Sequence, residues 1–307
     1  TVYFATHDRK LFSWTSSGGW TQLSSVHGVS GAMPCAMVVV DGVIWTAYTG
    51  STTLYKWNIA GASTSNSVLS TTVLWVKDYI YRADGNDLYY TADGTTWVAL
   101  GAVGANGSLI RDICNLAGET YIATDDGLYV VAPGEFIVPV SEWPTRTLGT
   151  TNTATKIYPS NPIRMVNWQG SIYIAMNNTL YRFDQGGSLI NLSLTLNNAL
   201  PSDWQGKIVC LGSSAFFLYA GVSTDVTNGT ITVPDIDTGY SSVWAYNGQG
   251  WHCVMSLPRG VKPTTCSIEV ETVDNRLLVM TNDGIMTAEL PDSLANPYED
   301  ARSIPFY

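Results

Sequence analysis

Apolar and polar positions alternate along this chain in short runs separated by turn-forming residues. The clearest instance lies between Asn115 and Val131. There a β-rich run through Tyr121-Ile122-Ala123-Thr124 meets an Asp125-Asp126-Gly127 turn and a second run, Leu128-Tyr129-Val130-Val131. Two apolar stretches joined by Asp-Gly are the strongest short-range hairpin signal a sequence carries.

Copies of this hairpin recur along the whole chain. The large apolar residue of the first hairpin strand is Tyr3, Trp45, Tyr81, Tyr121, Tyr173, Phe217 and Leu278 in successive copies. A Leu-aromatic pair opens the second strand at Leu11-Phe12, Leu54-Tyr55, Leu88-Tyr89, Leu128-Tyr129 and Leu180-Tyr181, and Val243-Trp244 and Ile285-Met286 complete the set. An apolar run precedes most hairpins: Ala36–Val40, Val73–Val76, Ile110–Cys114, Ile163–Val166, Lys207–Leu211 and Ser267–Val270. A weaker strand follows some of them, announced by Gly19-Trp20, Thr96-Trp97 and Gly250-Trp251. Copies spaced 36 (Trp45 to Tyr81) to 61 residues (Phe217 to Leu278) apart, with about four strands each, predict a β-propeller. Seven copies predict one all-β domain over residues 1–307, of seven four-stranded antiparallel blades.

The two ends are unequal. The first copy lacks an inner strand and the last stops after its hairpin, and open sheet edges invite aggregation. The tail Ser303–Tyr307 is therefore expected to pair beside the N-terminal strand and close the ring, with polar Pro291–Arg302 forming a helical turn before it. Two segments break the rhythm: Gly221–Tyr240, and Ile137–Pro162 with its four prolines. Strand direction alternates, so both are expected as long loops on one face, where binding concentrates on a rigid scaffold.

Composition narrows the functional classes. Charged residues are 13% of the chain and the formal net charge is −10, which argues against a nucleic-acid partner. No apolar run approaches the roughly 20 residues that span a bilayer, and no basic-apolar leader opens the chain. Thr1 begins in mid-strand, as in a processed chain or a piece of a longer one. The five cysteines (Cys35, Cys114, Cys210, Cys253, Cys266) have no CxxC spacing, which speaks against structural zinc and a disulfide framework. A Cys253–Cys266 pairing across a blade junction is left open.

Thr91-Ala92-Asp93-Gly94-Thr95-Thr96-Trp97 resembles the shortened Asp box of sialidase-like propellers. The resemblance implies a structural role for Thr91, Asp93, Gly94 and Trp97: Asp93 accepts backbone N–H groups in a tight turn, and Trp97 packs between blades. The Gly-x-x-Tyr…Leu-Tyr pattern also resembles regulator-type propellers. A sialidase-like enzyme needs an arginine cluster, a Tyr nucleophile with a Glu partner, and an acid–base Asp. Arg111, Arg164 and Lys207 stand near the starts of three inner strands and are candidate contacts for an anionic ligand, or else partners of acids such as Asp112. The Arg-Ile-Pro motif of that family is missing, and no Glu is nominated. Trp143, Tyr158 and Tyr240 are candidate stacking platforms for a sugar or a protein.

Asp235 and Asp237 in the long insertion are weak candidates for a cation site, lacking the remaining ligands of a calcium loop. Asp8, Asp84, Asp87, Asp125, Asp126, Asn177, Asn178 and Asp283 all fall in hairpin turns, where turn chemistry accounts for them. No catalytic constellation emerges, and no cofactor or metal is expected. The Ser/Thr/Asn/Gly/aromatic-rich, charge-poor composition resembles propeller proteins of bacteriophage virions and tails. It implies a non-enzymatic binding or assembly module, located in the virion and docked, within a larger assembly, to other virion proteins or to a host-surface protein or glycan. The alternative is an extracellular, sialidase-like propeller that binds or cleaves glycans. A sensor propeller would need a membrane-tethered neighbour.

Overall fold

The period-two alternation becomes a series of antiparallel meanders, each strand pairing with the next in sequence. The computed structural model describes residues 1–15, 17–105, 107–132, 136–143, 146–147, 154–155, 163–176, 179–187, 189–192, 207–223, 241–271 and 276–289. The chain divides into two compact units, Thr1–Ser160 and Asn161–Tyr307. Strands within a blade are lettered A to D outward.

The first unit opens with a three-stranded sheet of β1 (Val2–Ala5), β2 (Leu11–Thr15) and β3 (Gly19–Ser24), with no A strand among the described residues. Blade 2 is β4 (Pro34–Val40), β5 (Val43–Tyr48), β6 (Leu54–Asn58) and β7 (Ser63–Ser67). Blade 3 is β8 (Val73–Val76), β9 (Ile80–Asp84), β10 (Asp87–Thr91) and β11 (Val98–Ala102). Blade 4 is β12 (Ile110–Leu116), β13 (Glu119–Thr124), β14 (Gly127–Ala132) and β15 (Phe136–Glu142), followed by a ribbon of β16 (Arg146–Thr147) and β17 (Ala154–Thr155). The A strands β4, β8 and β12 are neighbours in that order, the arrangement of blades around an axis.

The second unit holds blade 5 with β18 (Ile163–Trp168), β19 (Ser171–Met176), β20 (Thr179–Asp184) and β21 (Leu189–Asn191). Next comes blade 6 with β22 (Lys207–Ser213), β23 (Leu218–Ser223), β24 (Ser242–Tyr246) and β25 (Trp251–Ser256). A final three-stranded sheet has β26 (Pro263–Glu271), β27 (Arg276–Thr281) and β28 (Gly284–Glu289).

The hairpin copies are legible as packing. The Leu that opens each C strand (Leu11, Leu54, Leu88, Leu128, Leu180) is 0% exposed, and the B-strand aromatics Trp45, Tyr81, Tyr121 and Tyr173 are buried. These residues fill the wedge between one blade and the next. Trp45, Ala47 and Leu54 of blade 2 meet Leu74, Ile80 and Trp97 of blade 3. Tyr81, Ala83 and Leu88 meet Ile110, Ile113 and Ile122 of blade 4. In the second unit Tyr173, Ala175 and Leu180 meet Ile208, Leu218 and Ala220, and blade 6 in turn packs on Leu277 and Val279. Burying one such side chain stabilises the fold by roughly 1.5–3 kcal/mol.

Several expectations are corrected. The propeller has six blades and not the expected seven; among the described residues five sheets have four strands, and the first and last have three each. Ile137–Pro162 is not one long loop, because Ile137–Glu142 belongs to β15. Pro139 is tolerated because β15 is an outer strand, where one missing N–H breaks no second ladder. Gly221–Ser223 likewise belongs to β23, with 224–240 outside the described residues. Phe217 precedes β23 and is not part of it. Cys253, whose pairing the sequence leaves open, is a free thiol. The tail 303–307 and the 291–302 segment lie outside the described residues.

Candidate functional site

In each meander the D–A connections and B–C turns emerge at one end of the sheet, and the A–B and C–D turns at the other. In the first unit the D–A/B–C end is tightly tied together. Arg111 at the start of β12 forms a two-pronged ion pair with Asp125 in the β13–β14 turn, Nε to Oδ1 at 2.6 Å and a terminal nitrogen to Oδ2 at 3.1 Å. Asp125 also accepts the Leu109 N–H at 3.1 Å. Asp126 accepts the Ala105 N–H at 2.7 Å, the Ser108 hydroxyl at 2.8 Å, the Tyr129 hydroxyl at 3.1 Å and the Thr124 hydroxyl. Burial pushes the Asp126 carboxyl up, but those donors outweigh it and hold the group below the usual carboxylate range. Asp8 at the same end bonds Thr6 and Lys10, which holds its carboxyl at about 2.

Trp143 stands in the same knot. It is 7% exposed, and its indole N–H donates to the Thr124 carbonyl at 2.7 Å, so it is a packed strut and no exposed platform. The partner of Arg111 is Asp125 and not Asp112, whose carboxylate caps the Ile113 N–H at 2.9 Å. A bulge between Ile110 and Asp112 sets this local geometry. Arg164 lies near the start of β18, opposite Ala175. The side chain of Lys207, and Tyr158, Tyr240, Asp235 and Asp237, lie outside the described residues. No group of three or more potential metal ligands occurs among the described residues.

A Tyr–Glu pair that the sequence reading did not nominate exists two residues apart on one face of β13: the Tyr121 hydroxyl donates to Glu119 Oε2 at 2.8 Å. Burial first, then Glu119, raises the Tyr121 phenol pKa, which disfavours the phenolate a nucleophile needs. Glu119 pairs with Leu116 at the far end of β12, about 16 Å along the strand from Arg111 at the usual rise. Arginine and Tyr–Glu therefore stand at opposite ends of blade 4.

The turn from Thr91 to Trp97 docks blade 3 onto blade 2. Asp93 Oδ1 accepts the Thr96 N–H at 2.7 Å, the Thr95 N–H at 2.8 Å and the Thr91 hydroxyl at 2.9 Å, and these bonds, in that order, hold its carboxyl well below the usual range. The Gly94 carbonyl accepts Lys56 Nζ at 2.9 Å, and a Cβ at Gly94 would stand 2.8 Å from the Trp45 ring. A ladder of cations and rings runs through the junction. Lys56 lies 4.2 Å from the Trp45 centroid, Trp45 meets Trp97 edge-on at 6.3 Å, and the Arg82 guanidinium lies 5.1 Å from Trp97 and 3.9 Å from Tyr89.

Four exposed apolar side chains remain at the D–A/B–C end: Val26, Met33, Val68 (85% exposed) and Leu109, on three successive D–A connections. They lie outside the period-two runs, so no hydrophobic pattern marks them.

No family model matches the sequence, and no curated protein matches it. Solved structures match in fold. The β-propeller domain of Cps50 (Swd1) from Myceliophteria thermophila is 11% identical, with a TM-score of 0.58 over 95% of this chain and 97% of that chain. Virginiamycin B lyase from Staphylococcus aureus is 10% identical, TM-score 0.64, over 93% and 89%. The extracellular domain of a hybrid two component system from B. thetaiotaomicron is 12% identical, TM-score 0.64, over 93% of this chain and 37% of that chain. This chain thus spans little more than a third of the length of that last structure. The chain is an all-β propeller of four-stranded antiparallel blades. These neighbours include an extracellular domain and a lyase, so the fold they share does not fix one role.

Proposed function

We propose that this propeller is a non-enzymatic binding or assembly module of a bacteriophage virion or tail, docking through the D–A/B–C end of its first unit to another protein of the particle. The observation that carries it is Val26, Met33, Val68 and Leu109 exposed on successive connections, beside Asp8, Arg111, Asp125 and Asp126, which bond within the chain. Apolar side chains amid internally satisfied charges favour a protein interface. The virion attribution rests on composition. Assignment of Thr91–Trp97 to the shortened Asp box, and of the tail 303–307 to the edge of β1, belongs to the same proposal.

The glycan-cleaving alternative is disfavoured. Arg111 is engaged by Asp125, and the Tyr121–Glu119 pair lies at the other end of the blade. The test is the double substitution Val68→Asp with Leu109→Asp. Loss of the chain from the particle, with an unchanged melting midpoint, supports the reading. Full incorporation of the variant contradicts it.

A further inference from the structure

The A–B turns of the first unit follow a rule that blade 3 breaks. In blades 2 and 4 two residues join the strands, Asp41-Gly42 and Ala117-Gly118, all at positive φ as the tight hairpin turn requires. In blade 3 Val76 pairs with Ile80, and three residues, Lys77, Asp78 and Tyr79, fill the turn, closed by the Lys77 N–H to the Tyr79 carbonyl at 3.1 Å. The three-residue turn places an aromatic where blades 2 and 4 carry Gly42 and Gly118. Tyr79 is 41% exposed.

The ring stands on an aromatic floor. Trp75, Tyr81, Tyr90 and Val98 are in register across β8 to β11 and form one transverse row of the sheet. Tyr79 meets Tyr90 at 5.0 Å and 67°, and Tyr81 at 6.4 Å and 87°. Tyr81 and its neighbours already fill the wedge toward blade 4. Beside the rings, Lys77 Nζ reaches the Gly118 carbonyl of the next blade at 2.8 Å and Asp78 at 3.4 Å, with Glu119 adjacent in sequence.

We propose that this corner, Tyr79 on Tyr90 with Lys77 and Asp78 at its rim, is a saccharide-binding subsite that takes a pyranose by its C–H face. A sugar presents one apolar face and a ring of hydroxyls. Two rings near a right angle offer the first a stacking surface, and the Lys–Asp rim offers the second donors and acceptors. The exposed ring is too small an anchor for a stable protein interface, which needs about 800 Å² per partner. The subsite lies at the opposite end of the blade from the docking end and stands independently of it.

The test titrates cellohexaose, chitohexaose and mannohexaose to ~10 mM, a range that captures weak millimolar binding, into the purified full chain, read by saturation-transfer NMR. At least one hexaose is expected to bind, with transfer from Tyr ring protons. Tyr79→Phe should retain binding, and Tyr79→Ala should weaken it by roughly three- to tenfold, the worth of one stacked ring. Should Tyr79→Ala lower the melting midpoint, the wild type decides: with the Tyr79 ring protons assigned by their absence in Tyr79→Phe, a bound sugar that receives no transfer from them overturns the site. Leu109→Asp should leave sugar binding unchanged. Binding by none of the three, or equal binding by folded Tyr79→Ala, overturns the proposal, as does binding of a decaproline peptide in place of every sugar.

Discussion

Acidification should loosen the junction of the first sheet with blade 2 through His27. This residue is 0% exposed; its Nε2 lies 3.0 Å from Thr46 Oγ1, its N–H donates to the Arg9 carbonyl at 2.8 Å, and its carbonyl accepts the Tyr48 hydroxyl at 2.9 Å. Tyr48 and Tyr55 close around the ring at 6.5 and 5.9 Å. Burial lowers its pKa from 6.5 to about 4. The folded state thus binds fewer protons than the unfolded chain between those values. Stability is complete above pH 6.5, falls as pH drops through the window, and levels off near pH 4. At 1.36 kcal/mol per unit, the loss is about 3 kcal/mol. Urea unfolding of wild type and His27→Gln from pH 7.5 to 4.5 measures it. His252, whose pKa burial also lowers, contributes with the same sign in both proteins and cancels in the difference. Wild type should lose about 3 kcal/mol more than the variant. Parallel pH profiles would refute the reasoning.

Other substitutions test the packing account. Gly28→Ala adds a Cβ 2.2 Å from the Tyr48 ring at a φ of +111°, and should destabilise by roughly 2–4 kcal/mol in urea unfolding. Leu88→Ala and Leu128→Ala, each emptying a fully buried site between blades, should each cost about 2–5 kcal/mol. Asp93→Ala removes the acceptor of three turn hydrogen bonds and should lower the melting midpoint. Arg111→Met should destabilise by about 1–3 kcal/mol, because it leaves Asp125 without its partner.

The parts of the fold legible in sequence are those where packing forces a pattern. Leu54, Leu88 and Leu128 recur because each blade needs one fully buried aliphatic at the same place. The inner strands β4, β8 and β12 were readable as apolar runs for the same reason. β7, Ser63-Thr64-Ser65-Asn66-Ser67, was not readable, since an outer strand needs only backbone pairing and carries no apolar residue. β15 was hidden by Pro139, which signals a loop anywhere but an edge. Among site residues, Arg111 was located, but its partner Asp125 lies across a hairpin whose bulge no spacing encodes. Trp143 looked like a loop aromatic until β15 brought it beneath Thr124. The departure at Lys77-Asp78-Tyr79 was present in the sequence as a missing glycine, but is noticed only once the A–B turns are aligned in space.

The central claim is that the D–A/B–C end of the first unit is the docking face. Hydrogen–deuterium exchange compared between the assembled particle and the isolated chain tests it most directly. The account expects protection on assembly confined to residues 25–33, 68–72 and 103–109, which carry Val26, Met33, Val68 and Leu109. Unchanged exchange there, with protection elsewhere or nowhere, would contradict it.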